Sequence, residues 1–234
     1  MIDLNTSSVQ SISNFDLGEK VQFNLSAPKL IEANLSEGIG RLTPTGAIMV
    51  DTGIYTGRSP KDKYFVREGA SQDHIWWGEV NQPIEEPVFD ELLDLVEAEY
   101  ASNTSVPTYI FEGFAGADPR HRLKVRIIAK KAWQALFVHN MFIRATADEL
   151  IDFEPDFTII NASDVHNPNY LKHGMNSDVF VSFHLGRGLA IIGGTEYGGE
   201  MKKGIFSVLN YKLPLSGILS MHCSCNVDPN SGES

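Results

Sequence analysis

Several features are scarce or missing in this chain of 234 residues, and each absence excludes a class of protein. The two cysteines, Cys223 and Cys225, stand too close together on an extended segment to pair, so no disulfide framework is expected. No run of eighteen apolar residues occurs, which argues against a membrane span. The first residues, MIDLNTSSVQ, lack the basic and apolar regions of a signal peptide, so the cytoplasm is the expected compartment.

Positive charge is also in short supply, since the formal net charge is −11. Of the 30 acidic residues, eleven lie in residues 68–112, which contain no Lys or Arg, so the 19 acids elsewhere are matched by 19 bases. The acidic segment is typical of a solvated outer face. Nucleic acid is not expected as a partner, because phosphate contacts need a basic stripe. A site for a small anion is better placed in the neutral remainder.

The hydrophobic pattern predicts more strands than helices, with the helices mostly in the first two thirds of the chain. This mixture predicts an α/β domain of the mixed, α+β-like kind, with a mixed β-sheet flanked by helices. The predicted helices cover residues 26–38, 88–99 and 131–143, and the predicted strands cover 46–52, 63–68, 108–116, 122–128, 156–162, 178–185, 188–194, 205–211 and 218–227.

A glycine-rich, basic turn, GIYTGRSPKD, joins two of these predicted strands. It fails the P-loop pattern, because three residues separate its glycines and Arg58 stands where a lysine is required. Arg58 nevertheless offers a planar fork suited to a carboxylate or a phosphate. Taken alone, the turn is better explained as an ordinary polar hairpin with exposed basic residues.

A second glycine-rich stretch, GGTEYGGEMKKG (193–204), contains Tyr197 and the adjacent Lys202 and Lys203. So many glycines indicate close approach by a ligand or by another backbone segment. If the segment is extended, the two lysines point to opposite faces and only one of them enters a given cleft. The alternative is a flexible, solvated loop, but the flanking apolar strands favour a functional one.

A third stretch, ILSMHCSCNV (218–227), alternates between two faces when it is built as a strand. His222 then lies on a polar face with serine and asparagine neighbours, and Cys223 and Cys225 lie on a core face. That setting suits a ligand or acid–base role, although a structural histidine fits about as well.

A basic strand follows the acidic segment, with Arg122, Lys124 and Arg126 on one face. We interpret these side chains as partners of the acidic surface, in preference to partners of an anionic ligand.

Three stretches taken together, in this order and spacing, closely resemble the ATP-dependent phosphoenolpyruvate carboxykinases. They are VDTGIYTGRSPKDKYFVRE, IIGGTEYGGEMKKGIFSVLNYKLP and MHCSCNV, and the similarity runs from about residue 46 to residue 227. The resemblance implies a gluconeogenic lyase that decarboxylates oxaloacetate and transfers the ATP γ-phosphate, giving phosphoenolpyruvate, ADP and CO2. It also implies Mg²⁺ on the nucleotide and a second ion, Mn²⁺.

The family's motifs assign roles to five residues of this chain. Arg58 holds the substrate carboxylate, and Tyr197 lies against the substrate. Lys203 contacts substrate and nucleotide and ligates Mn²⁺, with Lys202 near the reacting groups. His222 is a further metal ligand that approaches the γ-phosphate. Since a metal binds only an unprotonated amine, the like charge of Lys202 suits the role of Lys203.

The sequence departs from the family in one major respect, because no G-x-x-x-x-G-K-[ST] pattern is found anywhere in it. We therefore expect residues 1–227 to be the N-terminal substrate-binding domain, 228–234 to be a linker or a truncated end, and the nucleotide-binding C-terminal domain to be absent. Such a chain should be inactive alone, because phosphoryl transfer depends on cradled phosphates. The alternative is a non-catalytic module that binds a dicarboxylate or a metal.

Overall fold

A computed structural model describes residues 17, 20–224 and 226–233 of the chain. Nine strands of this part form one mixed sheet, and two more form a small antiparallel sheet. The nine are β1 (Val21–Phe23), β4 (Lys63–Val66), β5 (Gln82–Ile84), β6 (Thr108–Ala115), β7 (Leu123–Ala129), β8 (Ile143–Arg144), β9 (Phe157–Ala162), β10 (Phe180–His184) and β11 (Leu189–Gly193); the pair is β2 (Gly40–Leu42) and β3 (Ile48–Val50).

The large sheet runs in the order β1-β6-β7-β9-β11-β10-β4-β5, with β8 paired to β6. Parallel and antiparallel pairs alternate irregularly, since β7 pairs antiparallel with β6 but parallel with β9. Four α-helices accompany the strands, namely α1 (Ala27–Ser36), α2 (Glu86–Ser102), α3 (Ala132–Met141) and α4 (Gly199–Leu215). The predicted mixed α/β class is confirmed.

The central strands of the large sheet carry pairs of consecutive isoleucines, in place of a strict alternation of apolar and polar residues. Residues 127 and 128 of β7, 159 and 160 of β9, and 191 and 192 of β11 are all isoleucine pairs, and each member is buried. Because neighbouring side chains of a strand point to opposite faces, each pair places one residue in each of two cores. The first core includes residues of α3 and α4, and the second includes residues of α2.

The helix α4 corrects the prediction of a strand at residues 205–211. Its buried apolar side chains, Met201, Ile205 and Val208, recur at the spacing of one helical face and not at a period of two. The β-branched and aromatic residues that favoured a strand are accommodated because this face packs on the sheet. Lys202 and Lys203 are therefore helical, and the condition under which they would point to opposite faces, an extended segment, is not met.

Two further predictions were wrong in the same part of the chain. Residues 218–224, 226 and 227 form no strand, and Cys223 is exposed instead of lying in the core. Cys225 lies outside the described residues.

The turn between β3 and β4 is not a hairpin, because strand β3 belongs to the small sheet and β4 to the large one.

Helix boundaries elsewhere follow the sequence signals. Ser26 precedes α1, and Gly38, with φ of 70°, follows its end in the left-handed conformation. Thr146 and Glu149 exchange side-chain and backbone hydrogen bonds, as a capping box requires. Among the described residues, no helix is both long enough and apolar enough to cross a bilayer.

Candidate active site

The start of α4 brings its backbone unusually close to neighbouring side chains. A Cβ atom on Gly199 would lie 2.3 Å from Cε1 of Tyr197, and one on Gly204 would lie 3.0 Å from Cζ of Phe183. The first distance is far below a van der Waals contact, so Gly199 is required for Tyr197 to pack against the first turn. The glycines of the second motif thus serve close packing at a helix start, where the sequence predicted a loop.

A cavity of about 250 Å³ opens beside this helix start. It brings together four of the five residues predicted to act, namely Arg58, Tyr197, Lys202 and Lys203. Its other lining residues are Thr52, Trp133, Phe137, Gly198 and Gly199. Arg58 comes from the turn after β3, Trp133 and Phe137 come from α3, and the lysines come from α4. The first two motifs, which are about 140 residues apart in the chain, therefore meet at one cleft.

The three cations of the cavity have no carboxylate within ion-pair distance among the described residues. By contrast, Arg122, Lys131 and Arg187 each pair with one or two carboxylates. Lys202 and Lys203 also occupy the first turns of α4, where the helix dipole is positive and disfavours them. The arrangement concentrates positive charge at an accessible cleft, which suits an anionic ligand.

His222, the fifth predicted residue, is not among the residues that line the cavity, but it contacts Lys203. Its Nε2 is hydrogen-bonded to Nζ of Lys203, and its ring meets the ring of Phe206 edge to face, with centroids 5.2 Å apart. The structure thus places His222 against Lys203, as the proposed shared ligand role requires. The contact forms although the predicted strand is absent, since residues 218–224 are irregular.

Two facing nitrogens fit several divalent transition metals, whereas Mn²⁺ favours oxygen ligands and would need a carboxylate beside them. No group of three His, Cys, Asp or Glu side chains in the described part of the chain could hold a metal ion. Lys203 and His222 therefore fit the implied metal as two ligands, and a completing carboxylate is not among the residues that the structure describes.

The turn that carries Arg58 is held by Glu200, a residue that the sequence argument missed. The backbone N–H of Ser59 donates to Oε1 of Glu200 over 2.7 Å. Burial raises the pKa of Glu200, while the Ser59 hydrogen bond and the positive charges of Arg58 and Lys63 act in the opposite direction. No local pattern identifies such a residue, because its partner lies 141 positions away.

The chain past Ser59 is fixed by a second buried carboxylate. Oδ1 of Asp62 accepts hydrogen bonds from Nδ2 of Asn176 at 2.9 Å and from Oγ of Ser177 at 2.8 Å. Lys63 follows at the start of β4, and burial, helped by Arg58, lowers its pKa.

The two aromatic residues Trp133 and Phe137 were assigned to a helix from sequence, and their spacing of four residues places both on the face that meets the cavity.

The basic strand β7 is largely structural, as interpreted from sequence. Arg126 is 1% exposed and donates through Nε to Oε1 of Glu112, which is 3% exposed, over 2.6 Å. Glu112 is the last residue of the acidic segment, but it is buried, so this pair joins the basic strand to that segment inside the fold and not at an acidic surface. Arg122 instead pairs with Glu149.

Comparisons with known proteins agree on one family. The family model for phosphoenolpyruvate carboxykinase matches residues 19–234. Two curated relatives from Leptospira biflexa serovar Patoc strain Patoc 1, of the Ames and Paris lines, bear the name phosphoenolpyruvate carboxykinase (ATP). Each is 52% identical over 208 residues, which are 89% of this chain and 39% of the relative. The chain thus spans well under half the length of these relatives.

Proposed function

The chain belongs to the phosphoenolpyruvate carboxykinase family, and on that premise we propose that it supplies the substrate-binding wall of an ATP-dependent carboxykinase. The reaction is the conversion of oxaloacetate and ATP to phosphoenolpyruvate, ADP and CO2. One observation carries the proposal for the site, namely that Arg58, Tyr197, Lys202 and Lys203 line a single cavity. Residues 1–227 are proposed as the substrate-binding domain, with the nucleotide-binding domain outside this chain.

The substrate is a dianion, and it is attracted by the cations of the cavity, which form no ion pair with the residues that the structure describes. Arg58 takes a carboxylate through its planar fork, which fixes the orientation of that group as well as its position. The ring of Tyr197 forms an apolar wall against the carbon chain, and its position is fixed by the contact with Gly199. Lys202 approaches from the helix as a cation and stabilises the negative charge that develops on the enolate oxygen during decarboxylation. Lys203 acts in its unprotonated form, as a metal ligand.

The proposed metal ligands are Lys203 and His222, which face one another at the edge of the cation group. When bound, Mn²⁺ would supply Lewis-acid stabilisation of the enolate and a template for its orientation. Mg²⁺-ATP belongs to the proposed remainder of the enzyme, since this sequence has no P-loop pattern. The cytoplasm is the compartment that we propose for the reaction.

A chimera with a relative tests this function directly. The segment of the Leptospira biflexa enzyme that aligns with the 208 matched residues is replaced by the corresponding part of this chain. We expect the chimera to form phosphoenolpyruvate from oxaloacetate and ATP, as measured by a coupled assay. The matched control is the same chimera carrying Arg120→Gln, a change in an exposed ion pair on a separate surface.

Two results separate the carboxykinase from the alternative, a non-catalytic binding module. A folded chimera that binds oxalate, a stable dicarboxylate, but forms no phosphoenolpyruvate would contradict the catalytic proposal and favour the module. Turnover that depends on Arg58 and Lys203 would support it.

A further inference from the structure

The turn that carries Arg58, residues 51–59 (here the Arg58 turn), is stabilised mainly by bonds within itself. Oγ1 of Thr52 donates to the backbone oxygen of Tyr55, and the N–H of Gly53 donates to Oδ1 of Asp51, both over 2.9 Å. Within the part of the chain that the structure describes, one hydrogen bond joins this turn to a distant element. It is the bond from the Ser59 N–H to Glu200 on α4.

Glu200 is a buried acidic residue, only 5% exposed, and buried carboxylates are uncommon. Withdrawing a carboxylate from water is costly unless charge or hydrogen bonds offset the loss. Here the offset comes from the Ser59 N–H and from the positive side chains of Arg58 and Lys63. The Glu200 carboxylate therefore holds the Arg58 turn through the hydrogen bond from Ser59, and its negative charge attracts the Arg58 side chain.

The location of Glu200 on α4 links the two halves of the cleft. Glu200 precedes Lys203 by three residues, which is close to one helical turn. Since a helix of 17 residues is rigid on this scale, fixing Ser59 to Glu200 also fixes the Arg58 turn relative to Lys203. A dicarboxylate that bridges Arg58 and Lys203 requires that spacing to be set before it binds.

We propose that Glu200 is a positioning residue, which holds the Arg58 turn against α4 through the Ser59 N–H and so sets the separation of Arg58 from Lys203. The inference rests on the proposed function for the identity of the ligand. It assigns Glu200 no contact with the substrate. Its effect on binding is transmitted through Ser59 and Arg58.

Amide hydrogen exchange of the ligand-free chain tests the contact itself. We expect the Ser59 amide to be protected in the wild type and in Glu200→Gln, whose amide oxygen still accepts the bond, and to exchange at least about tenfold faster in Glu200→Ala. Thr108→Val is the matched control, since it removes another buried hydrogen bond, from Thr108 to Leu17. Equal protection of Ser59 in Glu200→Ala and the wild type would overturn the inference.

Titration calorimetry with oxalate in the presence of Mn²⁺ tests the consequence. We expect Glu200→Ala to weaken oxalate binding about tenfold, Glu200→Gln to stay within about threefold of the wild type, and Thr108→Val to bind as the wild type does. Unchanged affinity in Glu200→Ala, or an equal loss in Thr108→Val, would contradict a positioning role. Absence of oxalate binding by the wild type would overturn the proposed function, while the exchange experiment would still report on the Ser59 contact.

Discussion

Charged side chains are treated in opposite ways in two regions of this molecule. On strands β6 and β7, Arg126 is enclosed and paired directly with Glu112, which faces it across the strands. In the cleft beside α4, Arg58, Lys202 and Lys203 converge without any carboxylate at ion-pair distance in the described part of the chain. The first arrangement neutralises charge inside the fold, and the second leaves charge available to a ligand.

The contrast separates stability from function in physical terms. A buried pair is costly to form and more costly to break, because the remaining partner is left charged and unsolvated. Unpaired cations near water cost less solvation, but they repel one another and lower the stability of the free protein. We therefore expect changes in the cleft to alter binding and turnover, and changes in the buried pair to alter unfolding.

The largest expected effect belongs to Lys203. In the chimera with the Leptospira biflexa enzyme, Lys203→Met should lower turnover by at least about 10³-fold, because it removes a proposed metal ligand. The fold should be spared, as measured by an unchanged melting temperature. Retained turnover would remove Lys203 from the proposed chemistry.

Breaking the buried pair should have the largest effect on stability. Arg126→Met leaves the Glu112 carboxylate enclosed without its partner, which should cost about 3–5 kcal/mol in the free energy of unfolding. Urea denaturation measures the loss, and Arg122→Met, at a partly exposed pair, should cost about 1 kcal/mol or less. Equal losses at the two positions would show that burial does not distinguish them.

A smaller effect is expected from Arg58→Lys, which keeps the charge but removes the planar fork. We expect oxalate affinity to fall about tenfold, since a lysine cannot hold a carboxylate through two parallel bonds. Calorimetry measures the change, and stability should be unaffected because Arg58 is exposed. Wild-type affinity in this variant would mean that only the charge of Arg58 matters.

The smallest effect concerns the pH dependence of stability at Glu200. Burial raises the pKa of this carboxyl above its ordinary value of 4.5, so the folded protein binds its proton more readily than the unfolded chain does. The stability contribution of the protonated form is complete below pH 4.5 and is lost as pH rises through the folded pKa.

Glu200→Gln removes this titration, so its free energy of unfolding relative to that of the wild type should be higher at pH 7 than at pH 4. Denaturation of both proteins across that pH range measures the difference. A difference that stays constant with pH would contradict the raised pKa.

Local pattern predicted the longer strands of the large sheet but missed its short strands β1, β5 and β8. The stretches GIYTGRSPKD and GGTEYGGEMKKG contain the four residues that were predicted to act and that line one cavity. The prediction of secondary structure failed where the apolar residues fit both the two-residue period of a strand and the 3.6-residue period of a helix. Residues 205–211 satisfy both a strand and a helix, and only packing of Met201, Ile205 and Val208 on the sheet decides between them.

Other parts of the site depend on contacts that no local pattern encodes. Glu200 acquires its role from a backbone N–H 141 residues earlier, and Trp133 reaches the cavity only because α3 packs beside α4. The alternation of residues 218–227 predicted a strand, yet the structure pairs no neighbouring strand with its described residues. An alternating sequence pattern does not show whether a neighbouring strand is available for pairing.

The central claim is that the two motifs form one anion site, and a titration followed residue by residue tests it most directly. Oxalate is added to the isotopically labelled chain with Mg²⁺, a diamagnetic substitute for Mn²⁺, and backbone and side-chain resonances are recorded by NMR. We predict that Arg58, Tyr197, Lys202 and Lys203 shift together along one saturation curve. Shifts confined to one motif, or separate curves for Arg58 and Lys203, would contradict the account.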